Sequence, residues 1–502
     1  MSSLFKTIIE KRLGGFKHLI NSIDQNEPMN LKESKKVAVI GAGIAGMSAA
    51  TLLAERGFEV DIYERDNFLG GKVGSWPHTF SDSYSTNVEH GFHAFFRQYY
   101  NLRNLLKNID AYKYLIPIDD YLIMTKELGD YSFKEIKTTP IENILSMRRA
   151  GIYSIKDIIR NPRFNRLISL LNYDKNKTYE KFDHISFKEF AEEANLPPQM
   201  RLMFTTFSRA FFAEPQLISM AELIKSFHFY FLSNDHGLIY DVMNDDFEKT
   251  LWQPARQFLQ RNNAKINLST PVVSFEKYEN KFLLNDEEYG YVIMASDIKG
   301  TKSIIGDSYS IKFHHPEFYS QIQNQKQSQR YAVLRIWTDK DVREEIPFFT
   351  FTDALQILDS VTVYHRMEET SREWVKNNGG GIFELHSYAL PDNFQEADVR
   401  GQFLSEFESY FPEIKGCKIL YEYLQVKDDF TAFHTNLHKN RPGYNTKIKN
   451  FYLAGDWVRL DCPAMLMEAA TTSALFSANE IFKKESLKKE LIYSVPLKGV
   501  MA

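Results

Sequence analysis

An α/β fold organised around a parallel βαβ unit is predicted for this 502-residue chain, and three observations carry the prediction. The run "KKVAVIGAGIAGMSAATLLAERGFEVDIYERDNFLGGKVGSW" (35–76) passes from a short apolar strand through a glycine turn into an apolar helix and a second strand. A strand, turn and helix recur near the other end, in "NFYLAGDWVRLDCPAMLMEAATTSALFSANEIF" (450–482). The length is the third, because at roughly 100 to 200 residues per domain it calls for about two or three domains.

In the first run Val37 to Ile40 read as a buried parallel strand, since consecutive apolar residues leave neither face for water. Gly41-x-Gly43-x-x-Gly46 then opens a helix ending near Gly57, and Val60 to Tyr63 form the next strand. Gly41 suits the turn, Gly43 lets the backbone approach a pyrophosphate, and Gly46 allows helix and strand to pack closely. Ile44 and Ala45 begin the helix, where unpaired N–H groups and the helix dipole favour phosphate. Glu64 ends the second strand, 23 positions after Gly41, where a carboxylate accepts both ribose hydroxyls and repels a 2′-phosphate. A dinucleotide other than NADP is expected. The apolar run 37–54 is nearly long enough for a membrane anchor, but its three glycines and the Glu55-Arg56 stop favour strand, turn and buried helix. Nothing before it reads as a cleavable signal.

Composition excludes several classes of function. With 61 basic and 65 acidic side chains the net charge is -4, which gives no general attraction for nucleic acid. Cys417 and Cys462 are too few for a disulfide framework or a zinc site and suit a reducing compartment, so a cytoplasmic location is expected. Aromatic residues reach 14%, which fits a large apolar ligand or a dense core. The opening "MSSLFKTIIEKRLGGFKHLINSID" places Leu4, Phe5, Ile8, Ile9, Leu13, Phe16, Leu19, Ile20 and Ile23 at helical spacing, with Lys6, Lys11, Arg12 and Lys17 mostly elsewhere on the wheel. Such a stretch either lies on a membrane surface, making the protein peripheral there, or docks on the body of the protein.

The pair Glu64-Arg65 followed by Gly70-Gly71-Lys72 resembles the second FAD fingerprint of the amine oxidase and carotenoid desaturase superfamily. The resemblance implies FAD rather than NAD, with Lys72 neutralising the pyrophosphate. It also implies a Rossmann-type, glutathione reductase-like FAD-binding domain assembled from separated segments, with an α+β substrate domain inserted between them. By the same resemblance Gly455-Asp456 closes the site, Asp456 bonding the ribityl or pyrophosphate region. A helix beginning near Pro463 then turns the N–H groups of Ala464, Met465 and Leu466 toward the flavin pyrimidine edge. "INLSTPVVSFEKYENKFLLNDEEYGYVIMAS" (266–296) resembles the family's middle FAD segment, with Val273 against adenine and "YVIMAS" as a sheet strand. The implied organisation is an N-terminal segment 1–33, FAD-binding segments 34–105, 226–303 and 445–485, substrate-domain parts 106–225 and 304–444, and a tail 486–502.

The stretch "VEHGFHAFFRQYYNLRNLL" (88–106) follows the Gly70-Gly71-Lys72 turn closely, which places it beside the flavin. It resembles the plant-type phytoene and zeta-carotene desaturases, and more closely the β-carotene desaturase/methylase (isorenieratene synthase) group. Residues 208–259 and 455–470 carry the same resemblance. What it implies is removal of hydride from an apolar polyene to flavin N5, with loss of a proton from the neighbouring carbon, by desaturation or ring modification. Glu89, Gly91, Phe92 and His93 are then expected against the cofactor. His90 or His93 is a candidate proton acceptor, or else holds the Gly91 turn, or only packs. Arg209 either polarises a carbocation counter-ion or the flavin edge, or forms a surface or interdomain salt bridge. Phe92, Phe95, Phe96 and "SFHFYFL" (226–232) line a tunnel or fill the core. Metal binding is not expected, because Glu89, His90 and His93 have no matching distant ligands. An amine oxidase, with Trp457 as one wall of an amine cage, a protoporphyrinogen oxidase-like enzyme, and a non-catalytic flavoprotein partner remain alternatives. The electron acceptor, quinone or oxygen, is left open.

Overall fold

The computed structural model describes residues 2–118, 120–127, 129–134, 146, 148–149, 154, 156, 159–500 and 502, with backbone only for residues 2–6, 8 and 164. Lys36–Ile40 is the central strand of a five-stranded parallel sheet. Glu59–Tyr63 and then Lys265–Asn267 lie on one side of it, Tyr291–Met294 and Phe451–Leu453 on the other. Three separated stretches of chain, 36–63, 265–294 and 451–453, thus make one sheet, as parallel pairing requires crossovers rather than hairpins. The helices Ile44–Glu55 and Leu466–Lys484 pack against each other. Ala49, Ala50, Ala474 and Ala478, all fully buried, keep these helices slim.

A second, seven-stranded sheet forms the other body. Its order is Ile419–Lys427, Tyr331–Thr338, Gly381–Ser387, Ser360–Val363, Phe349–Thr352, Leu122–Met124 and Tyr131–Ser132. Only the pairing of Phe349–Thr352 with Leu122–Met124 is parallel. Helix Met220–Phe227 packs on Lys175–Phe182 and Phe187–Glu193, and Pro198–Ala210 reaches the sheet through Arg209 and Asp359.

Several expected boundaries are corrected. No boundary falls at 226, because Met220–Phe227 continues directly into the π-helical turn His228–Leu232. The boundary at 303/304 also moves. Ile298–Asp307, Tyr309–His314 and Pro316–Gln323 bury Ile298, Ile305, Ile311 and Ile322 in one cluster with Val292, Met294, Phe451 and Leu453 of the parallel sheet. Asp297 starts this helical stretch by accepting a hydrogen bond from the Gly300 N–H. Residues 486–502 are not a separate tail either: Ile492 and Val495 are fully buried, and Tyr493–Ser494 pairs with His18–Leu19.

The N-terminal helix Ser2–Leu13 docks on the body through its described apolar side chains, since Ile9, Leu13 and Phe16 pack with Val500. The side chains of Leu4, Phe5, Lys6 and Ile8 lie outside the described residues. Among the described residues no helix is long and apolar enough to cross a membrane.

If residues 298–323 are part of the cofactor domain's core, Ile305→Ala lowers stability by about 2 to 5 kcal/mol through lost burial and a residual cavity. Denaturant unfolding followed by released flavin fluorescence checks this.

Candidate active site

The parallel strands end together at Ile40, Tyr63, Met294 and Leu453, and a cavity of about 890 Å³ opens beyond their carboxyl ends. Ligands of doubly wound sheets bind at such an edge. The cavity continues to the seven-stranded sheet, so two chemically different ends share one space.

At the sheet end the wall is backbone and charge. Gly41 has φ +103°, and a Cβ there would meet the Ala295 carbonyl at 2.9 Å, so both turn and strand crossing require glycine. Gly43 lies beside Gly70, and its own Cβ would have ordinary space, 3.7 Å from the Gly70 carbonyl oxygen. Gly41, Gly43, Ile44 and Ala45 line the cavity. Gly46 lies behind the wall, where a Cβ would overlap the Gly41 carbonyl. Glu64 accepts hydrogen bonds from Ala42 N–H (2.8 Å) and Asp66 N–H (3.0 Å), and burial raises its carboxyl pKa. With four lone-pair sites it retains capacity for ribose hydroxyls. Arg65, Gly70, Gly71, Lys72, Val273, Gly455, Asp456 and Leu466 complete this end, which fits FAD by its glycine turn, terminal acid and two helix N-termini.

Charges gather at the same end. The Lys72 ammonium lies 3.2 Å from Asp456, and although burial opposes its charge, Asp456, Asp429 and Asp297 raise its pKa. His90 Nε2 lies 3.3 Å from Asp429 Oδ2 and also meets the Tyr331 hydroxyl. Burial pushes His90 down, with Asp429 pulling against it. Burial would raise the Asp429 carboxyl, but His90, Lys72 and Lys427 together hold it well below the usual range. The His93 ring pairs through Nδ1 with the Gly91 carbonyl (2.8 Å), and burial pushes its pKa down to about 4.

The other end is aromatic. Phe92, Phe96, Tyr99, Tyr230, Tyr240 and Phe349 line it, with Phe92 stacked on Phe349 at 4.6 Å between centroids. The Tyr99 and Tyr230 hydroxyls bond each other at 2.7 Å, so these polar atoms are satisfied within the wall. Of the expected tunnel residues, Phe95 and all of 226–232 except Tyr230 do not line the cavity; Phe95, Phe229, Phe231 and Leu232 belong to the core instead.

Five expected contacts are corrected. Glu89 does not reach the cavity; its carboxylate accepts from Phe247 N–H (2.8 Å), Arg335 (3.2 Å) and the Tyr364 hydroxyl (3.3 Å). Gly91 lies behind Phe92 with φ +142° and its carbonyl held by His93. Ala464 and Met465 line a separate small pocket, because the helix starts at Leu466 rather than Pro463. The Pro463 carbonyl accepts the Ser494 hydroxyl at 3.0 Å, which keeps that segment extended. Arg209 lies off the cavity wall, its guanidinium spent on both Asp359 oxygens and the Ala389 carbonyl; it is a buried salt bridge that ties the two parts of the substrate domain together rather than one between domains.

Sequence reasoning missed Asp429, Lys427, Tyr331, Phe349 and Tyr388. The available signal was the alternating run "ILYEYLQVK" ending in Lys427-Asp428-Asp429, a strand carrying charge at its end as Tyr63-Glu64 does.

Residues 44–482 match the family described as flavin containing amine oxidoreductase. The carotenoid phi-ring synthase of Streptomyces griseus is 32% identical over 476 residues, covering 93% of this chain and 91% of that protein. The zeta-carotene desaturase of Synechocystis sp. is 23% identical over 498 residues, covering 90% and 98%. Among solved structures, wild-type putrescine oxidase bound to putrescine superposes with a TM-score of 0.62 at 14% identity, covering 90% of this chain and 99% of that one. Reduced UDP-galactopyranose mutase gives 0.62 at 12% identity, covering 90% and 96%; both are likenesses of fold.

The two inner glycines separate folding from cofactor binding. Gly43→Val is expected to fold with a native circular dichroism spectrum and purify without flavin, whereas Gly46→Val is expected to lose the folded spectrum. Full flavin occupancy of Gly43→Val counts against the cradle as described.

Proposed function

The chain belongs to the flavin-containing amine oxidoreductase family and to its carotenoid-desaturase branch, with FAD as cofactor, and from that premise we propose that it oxidises a carotenoid or similar long polyene, by desaturation or by modification of the ring. One observation carries the proposal: a single cavity joins the FAD cradle to a wall of Phe and Tyr with no ionised side chain among Phe92, Phe96, Tyr99, Tyr230, Tyr240 and Phe349. Bound FAD supplies the two-electron acceptor. The protein's part is to hold the polyene in register and keep water away.

The distribution of charge supports an apolar substrate over an amine. Asp297 and Asp66 act on Arg65, Asp456, Asp429 and Asp297 on Lys72, and Asp429 and Asp66 on Lys427, so these acids and bases form one cluster at the dinucleotide end. Asp429, the lining carboxylate that borders the aromatic wall, already faces Lys72 and Lys427 rather than an incoming ammonium. Trp457 is fully buried in the cluster under the parallel sheet, with its indole N–H donating to the Ser296 carbonyl at 3.1 Å. An apolar chain gains about 0.8 kcal/mol per buried methylene, so a long polyene needs no polar anchor to be held.

A polyene dissolved in a bilayer has to be extracted from it, and membrane-surface contact belongs to the same proposal. Because Ile9, Leu13 and Phe16 are engaged with Val500, the contact would run through exposed Lys11 and Arg12. Reversing both charges (Lys11→Glu with Arg12→Glu) is expected to cut flotation with anionic liposomes several-fold, an effect that added salt mimics. Unchanged flotation would move the contact elsewhere.

The deciding experiment is anaerobic. Liposomes carrying β-carotene, γ-carotene, phytoene or ζ-carotene are mixed separately with the purified flavoprotein, and one of them is expected to bleach the oxidised flavin band. Bound flavin that none of them bleaches would leave a non-catalytic partner role or another substrate class.

A further inference from the structure

We propose that Asp429 and His90 together form the proton acceptor of the reaction, a pair assembled from the two bodies of the protein; this rests on the polyene oxidation proposed above. His90 belongs to the loop after Ser85–Glu89, on the cofactor side. Asp429 follows the edge strand Ile419–Lys427 of the seven-stranded sheet. Both line the cavity, and His90 Nε2 and Asp429 Oδ2 are 3.3 Å apart.

The placement is what a proton acceptor in an apolar site needs. On one side the pair borders Lys72 and Lys427, which act electrostatically on the Asp429 carboxylate. On the other side it borders the aromatic wall: the His90 ring meets Phe430 edge-on at 5.7 Å, and Phe430 stacks on Phe212 of the cavity lining at 3.4 Å. The groups facing His90 are Asp429, Lys427, Lys72, the Tyr331 hydroxyl and His93. Only Asp429 among them is an anion. Its second oxygen, Oδ1, is buried with no hydrogen-bond partner among the described residues.

Other candidates are weaker. His93 has no carboxylate within bonding distance; its Nδ1 pairs with the Gly91 carbonyl, and burial without a counter-ion disfavours its cation. Glu89, the neighbouring acid, is bonded to Arg335, Tyr364 and the Phe247 N–H behind the wall.

A C–H bond of the substrate breaks, its electron pair remains as the new C=C bond, and the proton is taken up by the His90–Asp429 pair. The hydrogen and electron pair of the adjacent C–H bond leave to the FAD of the proposed function. The pair ends as imidazolium and carboxylate, a neutral sum that a dry site tolerates better than a lone cation. The acceptor works only while His90 is neutral.

The test is the pH dependence of anaerobic flavin bleaching by the reactive carotene, with flavin occupancy measured in parallel. Wild type is expected to show an acid limb, the rate rising with pH as His90 loses its proton. Asp429→Asn removes the anion that favours imidazolium, so the limb should move to lower pH and the plateau fall on the order of 100-fold, with flavin retained. Asp429→Glu should recover much of both. His90→Gln should abolish the limb. A limb unmoved in Asp429→Asn, or persisting in His90→Gln, overturns the inference. Should Asp429→Asn purify without flavin, His90→Gln alone decides it by the same criterion. If wild type itself is bleached by no polyene, the proposed function fails; if wild type is bleached and both variants behave like it, only the proton acceptor fails.

Discussion

Arg335 lies between two carboxylates, its Nε 2.8 Å from Glu384 and its Nη2 3.2 Å from Glu89, with all three side chains buried. Its guanidinium also stands over the Tyr364 ring at 3.9 Å. Burial opposes every one of these charges, yet the guanidinium holds the Glu384 carboxyl down at about 2 and Glu384 in turn raises Arg335 well above its usual range. Glu89 goes the other way. Burial, with Glu368 close by, raises its pKa more than Arg335 can lower it, so one cation is shared among too many acids. Removing one partner of such a buried set costs about 3 to 5 kcal/mol, because the remaining charge is left unpaired. What it secures is position. Glu89 ends the hairpin strand that leads into His90, Gly91, Phe92 and His93, and Gln425 of the edge strand donates to its carbonyl at 2.7 Å. The loop that walls the cavity is therefore fixed to the substrate sheet from behind.

A sheet built from three separated stretches, 36–63, 265–294 and 451–453, has only its βαβ unit held by local contacts, and segments near both ends of the chain tie the rest. Lys17 stands over the Tyr493 ring at 3.8 Å, Asn21 bonds the Glu490 carbonyl, and Asn101 bonds both Thr472 and the Tyr493 carbonyl. Glu468, in the first turn of the last long helix, accepts the N–H groups of Asn101 and Leu102, both at 2.9 Å. That carboxylate serves two helix N-termini at once. Burial nonetheless raises its pKa to about 8. The N-terminal segment, the C-terminal strand and the helix that reaches the cavity at Leu466 are thus one mechanical unit.

What the sequence made legible was what depends on local chain geometry. The glycine spacing from Gly41, the apolar strands and the acid at Glu64 belong to a motif whose physics is contained in about 30 residues. The bidentate pairing of Arg209 with Asp359 is not of that kind, for its partner lies 150 positions away in a stretch without a motif. The same holds for Glu89, whose carboxylate was expected at the cofactor because its neighbours face that way; the strand ends at Glu89, held by Arg335, and only the loop that follows brings His90 to the cavity. The helix at Leu466 began later than Pro463 because of a hydrogen bond from Ser494, again a distant residue. Helices Ile298–Asp307 to Pro316–Gln323 carry apolar faces that say they are buried, but not under which sheet.

Segregation of charge explains why one cavity can serve both a dinucleotide and an apolar chain. An unpaired charge on the aromatic wall would cost more in desolvation than a substrate contact could return. A proton and a hydride must nevertheless leave neighbouring carbons of a substrate that carries no polar handle. A proton-accepting group deep among Phe96, Tyr230 and Phe349 would meet that penalty in full. One placed in the charged cluster beyond Lys72 would be out of reach of the apolar chain. Asp429 and His90 stand at the junction, with cations on one side and Phe430 and Phe212 on the other. There the imidazolium has its counter-ion before it forms, and the aromatic face remains uncharged for the polyene.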